Sequence, residues 1–318
     1  MPETRITVLM PAYNAGLFIS EAIASVLSQT FRDFELLIIN DGSTDDTAAI
    51  IRTYHDDRIV LIEQENRGIA AALNKGLQHA GAPIIARFDA DDICFPQRLE
   101  KQYGFLMENP HCVVVGSAAT YIDADGQYVY THRPPAITDE ALQQLPVTVC
   151  PFIHASVMFR KDAVKLVGYN EHAPSFQDHL LWRQLKTKGK MYNMPEPLIS
   201  VRLNPGSLTI DERKRPKEFR LIKKRALQEG RLSAADGQRL GVLMQQQGDR
   251  NTKEGAYYTL LAKKYLWNNH DPVKARQCVK KAISLNSFDI KDYMLWPVSF
   301  LPRKMIIGLY ETFGKRKR

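Results

Sequence analysis

Pro83-Ile84-Ile85-Ala86-Arg87-Phe88-Asp89-Ala90-Asp91-Asp92 passes from a short, mainly apolar run into a cluster of carboxylates. The run reads as a buried strand, and Ile93-Cys94-Phe95-Pro96 leads on into a helix starting at Pro96. Carboxylates crowded at a strand end repel one another unless a cation sits among them. A hard divalent ion suits oxygen ligands best, so Mg2+ or Mn2+ is the expected partner. Beside a diphosphate, such carboxylates would form a nucleotide-sugar site. Asp92 is read differently, as an acidic cap of the helix that follows.

Working outward, residues 5–95 alternate strand and helix. Ile6-Thr7-Val8-Leu9-Met10, Phe34-Glu35-Leu36-Leu37-Ile38-Ile39 and Ile59-Val60-Leu61-Ile62 are continuous apolar strands. Ile19, Ala22, Ile23, Val26 and Leu27 recur at helical spacing, as do Ile69, Leu73 and Leu77. Ser43 is placed to N-cap a helix whose first turn holds Asp45 and Asp46. Apolar strands separated by amphipathic helices predict an α/β fold, with a mostly parallel sheet covered on both faces. Further on, Val113-Val114-Val115 and Ser156-Val157-Met158-Phe159 read as strands, Tyr121 to Tyr130 as a hairpin around Asp125-Gly126, and Asp178 to Leu185 as a helix. Residues 211–229, 233–247, 254–268 and 272–284 then read as helices. The expected division is a sheet domain over 1–209 and an all-helical appendix over 210–318.

The 318 residues allow one large domain or two ordinary ones, and 44% hydrophobic with 25% charged residues excludes a disordered or fibrous chain. Cys94, Cys112, Cys150 and Cys278 lie far apart without a CxxC pair, which fits a reducing compartment and argues against a zinc ribbon. Neither a signal-peptide pattern nor a membrane-spanning apolar run is present in the sequence, so the expected location is cytoplasmic. Residues 1–201 carry 17 Lys and Arg against 24 Asp and Glu, whereas residues 202–318 carry 26 against 11. A basic back half points to an anionic surface as partner. Met305, Ile306, Leu309 and Phe313 at helical spacing, followed by Lys315-Arg316-Lys317-Arg318, fit a helix in an anionic membrane interface or one docked on the protein with a solvated basic end, and fit nucleic acid less well.

Ligands of open parallel sheets bind outside the carboxyl ends of the strands. Four polar clusters fall there: Pro11-Ala12-Tyr13-Asn14, Asn40-Asp41-Gly42-Ser43, Asn66-Arg67-Gly68 and Asp89-Ala90-Asp91-Asp92. Neither GxGxxG nor GxxxxGK[ST] occurs, which disfavours a Rossmann dinucleotide site and a P-loop. In this order the clusters closely resemble family 2 glycosyltransferases of the GT-A fold, over roughly residues 5–205. The resemblance implies an inverting sugar transfer from a nucleotide-diphosphate donor, UDP-linked in expectation, to a saccharide or lipid-linked glycan acceptor of cell-surface assembly. It implies that Pro11, Ala12, Tyr13, Asp41 and Arg67 line the nucleotide pocket. It makes Asp91 the direct ligand of Mn2+ or Mg2+, with Asp89 shared between metal and ribose.

Gln177-Asp178-His179-Leu180-Leu181-Trp182 resembles the family's acidic-Asp-x-x-Leu-Trp element, with Gln177 where glutamate is common. It implies that Asp178 is the base for the acceptor hydroxyl. Arg202-Leu203-Asn204-Pro205-Gly206-Ser207-Leu208-Thr209 resembles the segment that closes over the donor, which adds Arg202 to the donor-binding set. Asn204 stands where many relatives have histidine and is a poorer metal ligand. His154-Ala155-Ser156 is implied to border a sugar. Two other readings are weaker. A sugar-phosphate nucleotidyltransferase needs a basic glycine-rich loop, and Pro11 to Gly16 has no Lys or Arg. A non-catalytic membrane scaffold would be expected to lose Asp91 or Asp178, and both are present.

Overall fold

Ile6–Ala12 (β1) is buried at every position and pairs in parallel with Phe34–Asp41 (β2) on one side and Ile84–Arg87 (β4) on the other. A strand flanked on both edges and covered on both faces has no solvent side to alternate toward, so its residues are almost all apolar, and the one polar side chain, Thr7, donates its hydroxyl to Glu35. Ile59–Gln64 (β3) adds in parallel outside β2. Helices Ile19–Leu27 (α1), Thr47–Arg52 (α2) and Ile69–His79 (α3) connect these strands. Gly76 of α3 lies so near β1 that a Cβ there would meet Leu9 Cδ1 at 2.1 Å. The absent side chain sets how closely that helix packs on the sheet.

The chain leaves β1 toward β2 and β3, then returns to β4 on the opposite flank. The crevice at the carboxyl ends of β1 and β4 is therefore a topological switch point. The computed structural model describes residues 4–205, 215–245, 250–285 and 290–314. Its sheet has the order β3-β2-β1-β4-β8-β6-β9-β5, where β5 is Ile93–Cys94, β6 Cys112–Ile122, β8 Met158–Arg160 and β9 Lys190–Arg202. Tyr128–His132 (β7) pairs with β6. The second half of the sheet is antiparallel where β8 meets β4 and β6, and where β5 meets β9. Helices Arg98–Glu108 (α4), Asp139–Gln143 (α5), Lys161–Lys165 (α6) and Gln177–Leu185 (α7) complete this part. Leu9, Leu37, Leu73, Ile85, Phe159 and Trp182 belong to its core.

Beyond it come Lys217–Glu229 (α8), Ala234–Gln245 (α9), Arg250–Lys264 (α10), Pro272–Leu285 (α11), Ile290–Val298 (α12) and Arg303–Leu309 (α13). The chain forms a mixed α/β sheet with a helical C-terminal region. It divides into two units, one of Met1–Ala119, His132–Val201 and Lys217–Leu243, the other of Thr120–Thr131, Arg202–Pro216 and Met244–Arg318. This division departs from the expected boundary at residue 209. Helix α8 belongs with the sheet because Arg183 Nε donates to the Leu227 carbonyl, Gln184 Nε2 to that of Gly230, and Phe219 meets Phe176 edge-on. The 120–131 hairpin belongs with the later helices because Tyr265 donates its hydroxyl proton to Asp123 and Tyr257 Oη accepts from the Ala124 amide.

Candidate active site

The loops after β1 and β2 are laced together. Asn14, with φ of 49°, accepts the Thr44 amide on Oδ1, while its own amide donates to Ser43 Oγ. Asn is one of the few residues that adopts this left-handed conformation readily. The Ala15 amide donates to Thr47 Oγ1 and the Gly16 amide to Asp45 Oδ2. Ser43 is thus spent on the neighbouring loop, and α2 starts only at Thr47, so the expected Ser43 cap does not form.

Asp41, at the end of β2, is buried and accepts three hydrogen bonds: from Gln64 Nε2 at 2.6 Å, the Arg67 amide at 3.0 Å and the Gly68 amide at 2.8 Å. The carboxylate therefore shapes the Asn66-Arg67-Gly68 turn. Gly42 has φ of 68°, and a Cβ there would stand 2.6 Å from the Asn66 amide nitrogen. Arg67, released by that turn, is largely exposed and reaches Glu171 at 3.4 Å. Pro11 and Ala12 are buried in the last two positions of β1, and Tyr13 is half exposed beside them.

At the end of β4, Asp89, Asp91 and Asp92 each bring an oxygen within 4.8 Å of the others. Three hard oxygen donors in that space match a divalent cation by donor type and reach. Asp92 is part of this group and not a helix cap: a two-residue strand follows it, and α4 begins at Arg98 behind Gln97, not at Pro96. The strand-end arginine is the unexpected member. Arg87 is 2% exposed and grips Asp89 through both terminal nitrogens. Burial opposes its charge, but Asp89 foremost, with Tyr169 and Asp92, holds its proton more tightly than usual. Arg98 fixes the backbone behind it, donating Nη2 to the carbonyls of Arg87 at 2.7 Å and Val157 at 3.2 Å.

Asp178 lies in the first turn of α7, half-buried. Burial raises its pKa, against the His179 amide and the charges of Lys223 and Arg87. Cys150 Sγ lies 4.0 Å from its Oδ2. His154 Nε2 pairs with the Tyr169 hydroxyl at 3.0 Å, and burial, helped by the charge of Arg87, depresses the His154 pKa well below the ordinary histidine range. This imidazole is neutral at pH 7. Burial raises the pKa of Tyr169, whose phenol also senses Arg87, Asp178 and Asp89. Asn74 anchors this tyrosine, accepting its amide and donating to its carbonyl.

The structure thus gathers Pro11, Ala12, Tyr13, Asp41, Arg67, Asp89 and Asp91 at the carboxyl ends of β1, β2 and β4 or in the turns those ends hold. Arg202 belongs to the second unit, where its Nη1 donates to the carbonyls of Asp123 and Ala124. Residues 206–209 of the expected closing segment lie outside the described residues, as do Lys315-Arg316-Lys317-Arg318. Residue patterns alone missed Arg87 and Tyr169. An arginine within an otherwise apolar strand was the available signal for the first.

The same strand ends can be compared with known proteins. The model of the glycosyl transferase family 2 matches residues 7–168. The chain belongs to glycosyl transferase family 2. Among relatives of this family-2 chain is EpsE of Bacillus subtilis, named as a glycosyltransferase, at 36% identity over 62% of this chain and 73% of that protein. Another is the amylovoran biosynthesis glycosyltransferase AmsE of Erwinia amylovora, at 29% identity over 65% and 79%. An uncharacterized glycosyltransferase of Rickettsia conorii is 31% identical over 65% of this chain and 34% of its own length. The family-2 fold also superposes on TarS (residues 1–349) of S. aureus in complex with UDP-GlcNAc, with a TM-score of 0.58 at 16% identity, covering 97% of this chain and 92% of that one. The mannosyltransferase PcManGT of Pyrobaculum calidifontis, in complex with GDP-Man and Mn2+, gives 0.51 at 16% identity over 98% and 88%. These two likenesses concern the fold. The family match contains all four strand-end clusters and stops ten residues before Asp178.

Proposed function

We propose that this glycosyltransferase moves a sugar from a nucleotide diphosphate, UDP in the first instance, to a hydroxyl of a saccharide acceptor, with inversion at the anomeric carbon. The observation that carries the reading is the triad of Asp89, Asp91 and Asp92 packed against the buried Arg87 at the switch point. Asp91 would hold Mn2+ or Mg2+ directly, with Asp89 divided between that ion and Arg87. A divalent ion bound there supplies charge neutralisation for the departing diphosphate. Arg67, exposed on its turn, adds a second cation for the same phosphates. Pro11, Ala12 and Tyr13 offer the base a wall, Tyr13 with an exposed aromatic face.

Asp178 acts as the base. Its carboxylate takes the proton of the acceptor hydroxyl as that oxygen bonds to the anomeric carbon, while the bond from that carbon to the diphosphate oxygen breaks. One displacement completes the transfer, so a covalent intermediate is not required. The name of AmsE, an amylovoran biosynthesis glycosyltransferase, supports a saccharide acceptor of bacterial polysaccharide type. The complexes of TarS and PcManGT support a nucleotide-sugar donor and a divalent ion. The test is a screen of nucleotide-sugars for Mn2+-dependent transfer or hydrolysis, with Asp91→Ala and Asp178→Asn beside the unaltered chain. Full activity in either variant removes that residue from its role.

A further inference from the structure

We infer that helices α12 and α13 of the second unit present a face that docks on an anionic lipid bilayer. Large exposed apolar side chains are scattered singly over most of the described residues, but Tyr293, Met294, Phe300 and Met305 fall within one short stretch. Burial assigns the two sides of that stretch. Leu295, Ser299 and Ile306 are turned into the unit, at 8% exposure or less. Tyr293, Pro297 and Phe300 follow one another at helical spacing on the outside, and Met294 is 68% and Met305 54% exposed.

The charges around this face have one dominant sign. Arg303 and Lys304 are exposed between Phe300 and Met305. The Arg276 guanidinium lies 3.9 Å from the centre of the Phe300 ring and donates Nη2 to the Ser299 carbonyl at 2.8 Å. Residues 270–285 and 290–314 carry 7 Lys and Arg against 3 Asp and Glu. Aromatic and thioether side chains bordered by cations suit the boundary between headgroups and acyl chains, where apolar groups enter and Lys and Arg stay with the phosphates. A second copy of the chain suits the face less well, because a two-fold interface centred there would bring like cations together. The inference does not depend on the transfer reaction proposed above.

Co-sedimentation of the full chain with vesicles tests it. Binding to equimolar phosphatidylglycerol and phosphatidylcholine is expected, weakening with salt, with little binding to phosphatidylcholine alone. At about 1 kcal/mol for each basic residue near the surface, Arg303→Gln with Lys304→Gln should weaken binding roughly thirty-fold. Met294→Gln with Met305→Gln should weaken it at least about ten-fold through lost apolar burial, without altering the circular dichroism of the exposed-face variant. Three results would overturn the inference. These are an unaltered chain that leaves anionic vesicles in the supernatant, binding indifferent to both pairs of substitutions, or a vesicle-inert dimer that Met294→Gln dissociates.

Discussion

Asp178 has to be ionised to accept a proton, and burial makes that ionisation harder than for an ordinary aspartate. Activity should therefore fall away as pH drops through a pKa above the usual carboxylate range. Lys223 opposes the effect of burial, as do the His179 amide and Arg87, with Cys150 and Tyr169 the other titratable neighbours. Lys223→Gln removes a cation that favours the ionised form, so the acid limb of kcat/KM should move to higher pH. Movement to lower pH, measured over the same range, would reject Asp178 as the titrating base. Asp178→Asn should lower kcat by about 10²–10⁴ while leaving donor binding in place. Two of the strand-end carboxylates, Asp89 and Asp91, should separate by a different measurement. Asp89→Ala leaves the guanidinium of Arg87 buried without its bidentate partner, which should cost about 3 kcal/mol in urea unfolding. Asp91→Ala leaves the Arg87–Asp89 pair in place and should cost less, and both variants should weaken metal binding. The cluster itself was legible in the sequence because three aspartates after an apolar run have few structural uses. Arg87 was not, because its partner is fixed only by the turn at 89–92, and hydrophobic periodicity is silent about turns. Asp92 was misread for a related reason: nothing in Ile93-Cys94 announces a strand too short to show a period.

At the scale of elements, the parallel half of the sheet could be read because β1, β2 and β4 are buried at nearly every position and are mainly apolar, without the alternation of a half-exposed strand. The antiparallel half was harder. Strand β9 went unread because Pro195 and Pro197 interrupt it, and proline usually ends a strand by removing an amide donor. Here both fall where β5 does not reach, since β5 pairs only with Ser200 and Ile199. Helix α3 makes a sharper case. A glycine inside a helix normally costs about 1 kcal/mol relative to alanine, so sequence alone marks Gly76 as replaceable. The packing reverses that reading, because Leu9 is fully buried and its Cδ1, Cδ2 and Cγ all stand within 3.1 Å of the missing Cβ. Gly76→Ala should therefore destabilise by about 1–2 kcal/mol after its helix-propensity gain, as overpacking of a core does. An unfolding midpoint equal to or above that of the unaltered chain would show that the helix can retreat from β1.

At the scale of the molecule, the charge division between residues 1–201 and 202–318 can be counted along the sequence, but the unit boundary cannot. Charge follows the chain, whereas packing returns α8 and α9 to the sheet and sends the 120–131 hairpin to the later helices. Each unit has a core of its own, one around Leu9, Ile85 and Trp182, the other around Tyr257, Leu261, Tyr265 and Val279. The proposed metal ligands all lie in the first unit, a few residues beyond a central strand. An ion that binds only where that strand end is formed must stabilise the folded state by mass action. At a free concentration a hundred times its Kd, Mn2+ should contribute about 2.7 kcal/mol. For a unit of this size that corresponds to a rise of roughly 5–10 °C in its Tm. The rise should depend on the logarithm of Mn2+ concentration, disappear in Asp91→Ala and reverse on adding a chelator. Ca2+, larger and held by longer bonds to oxygen, should give a smaller rise from a cluster this compact. A Tm indifferent to Mn2+ in the unaltered chain, yet raised by a nucleotide-sugar alone, would mean that Arg87 has already neutralised the cluster and that the diphosphate is met by arginine instead of metal.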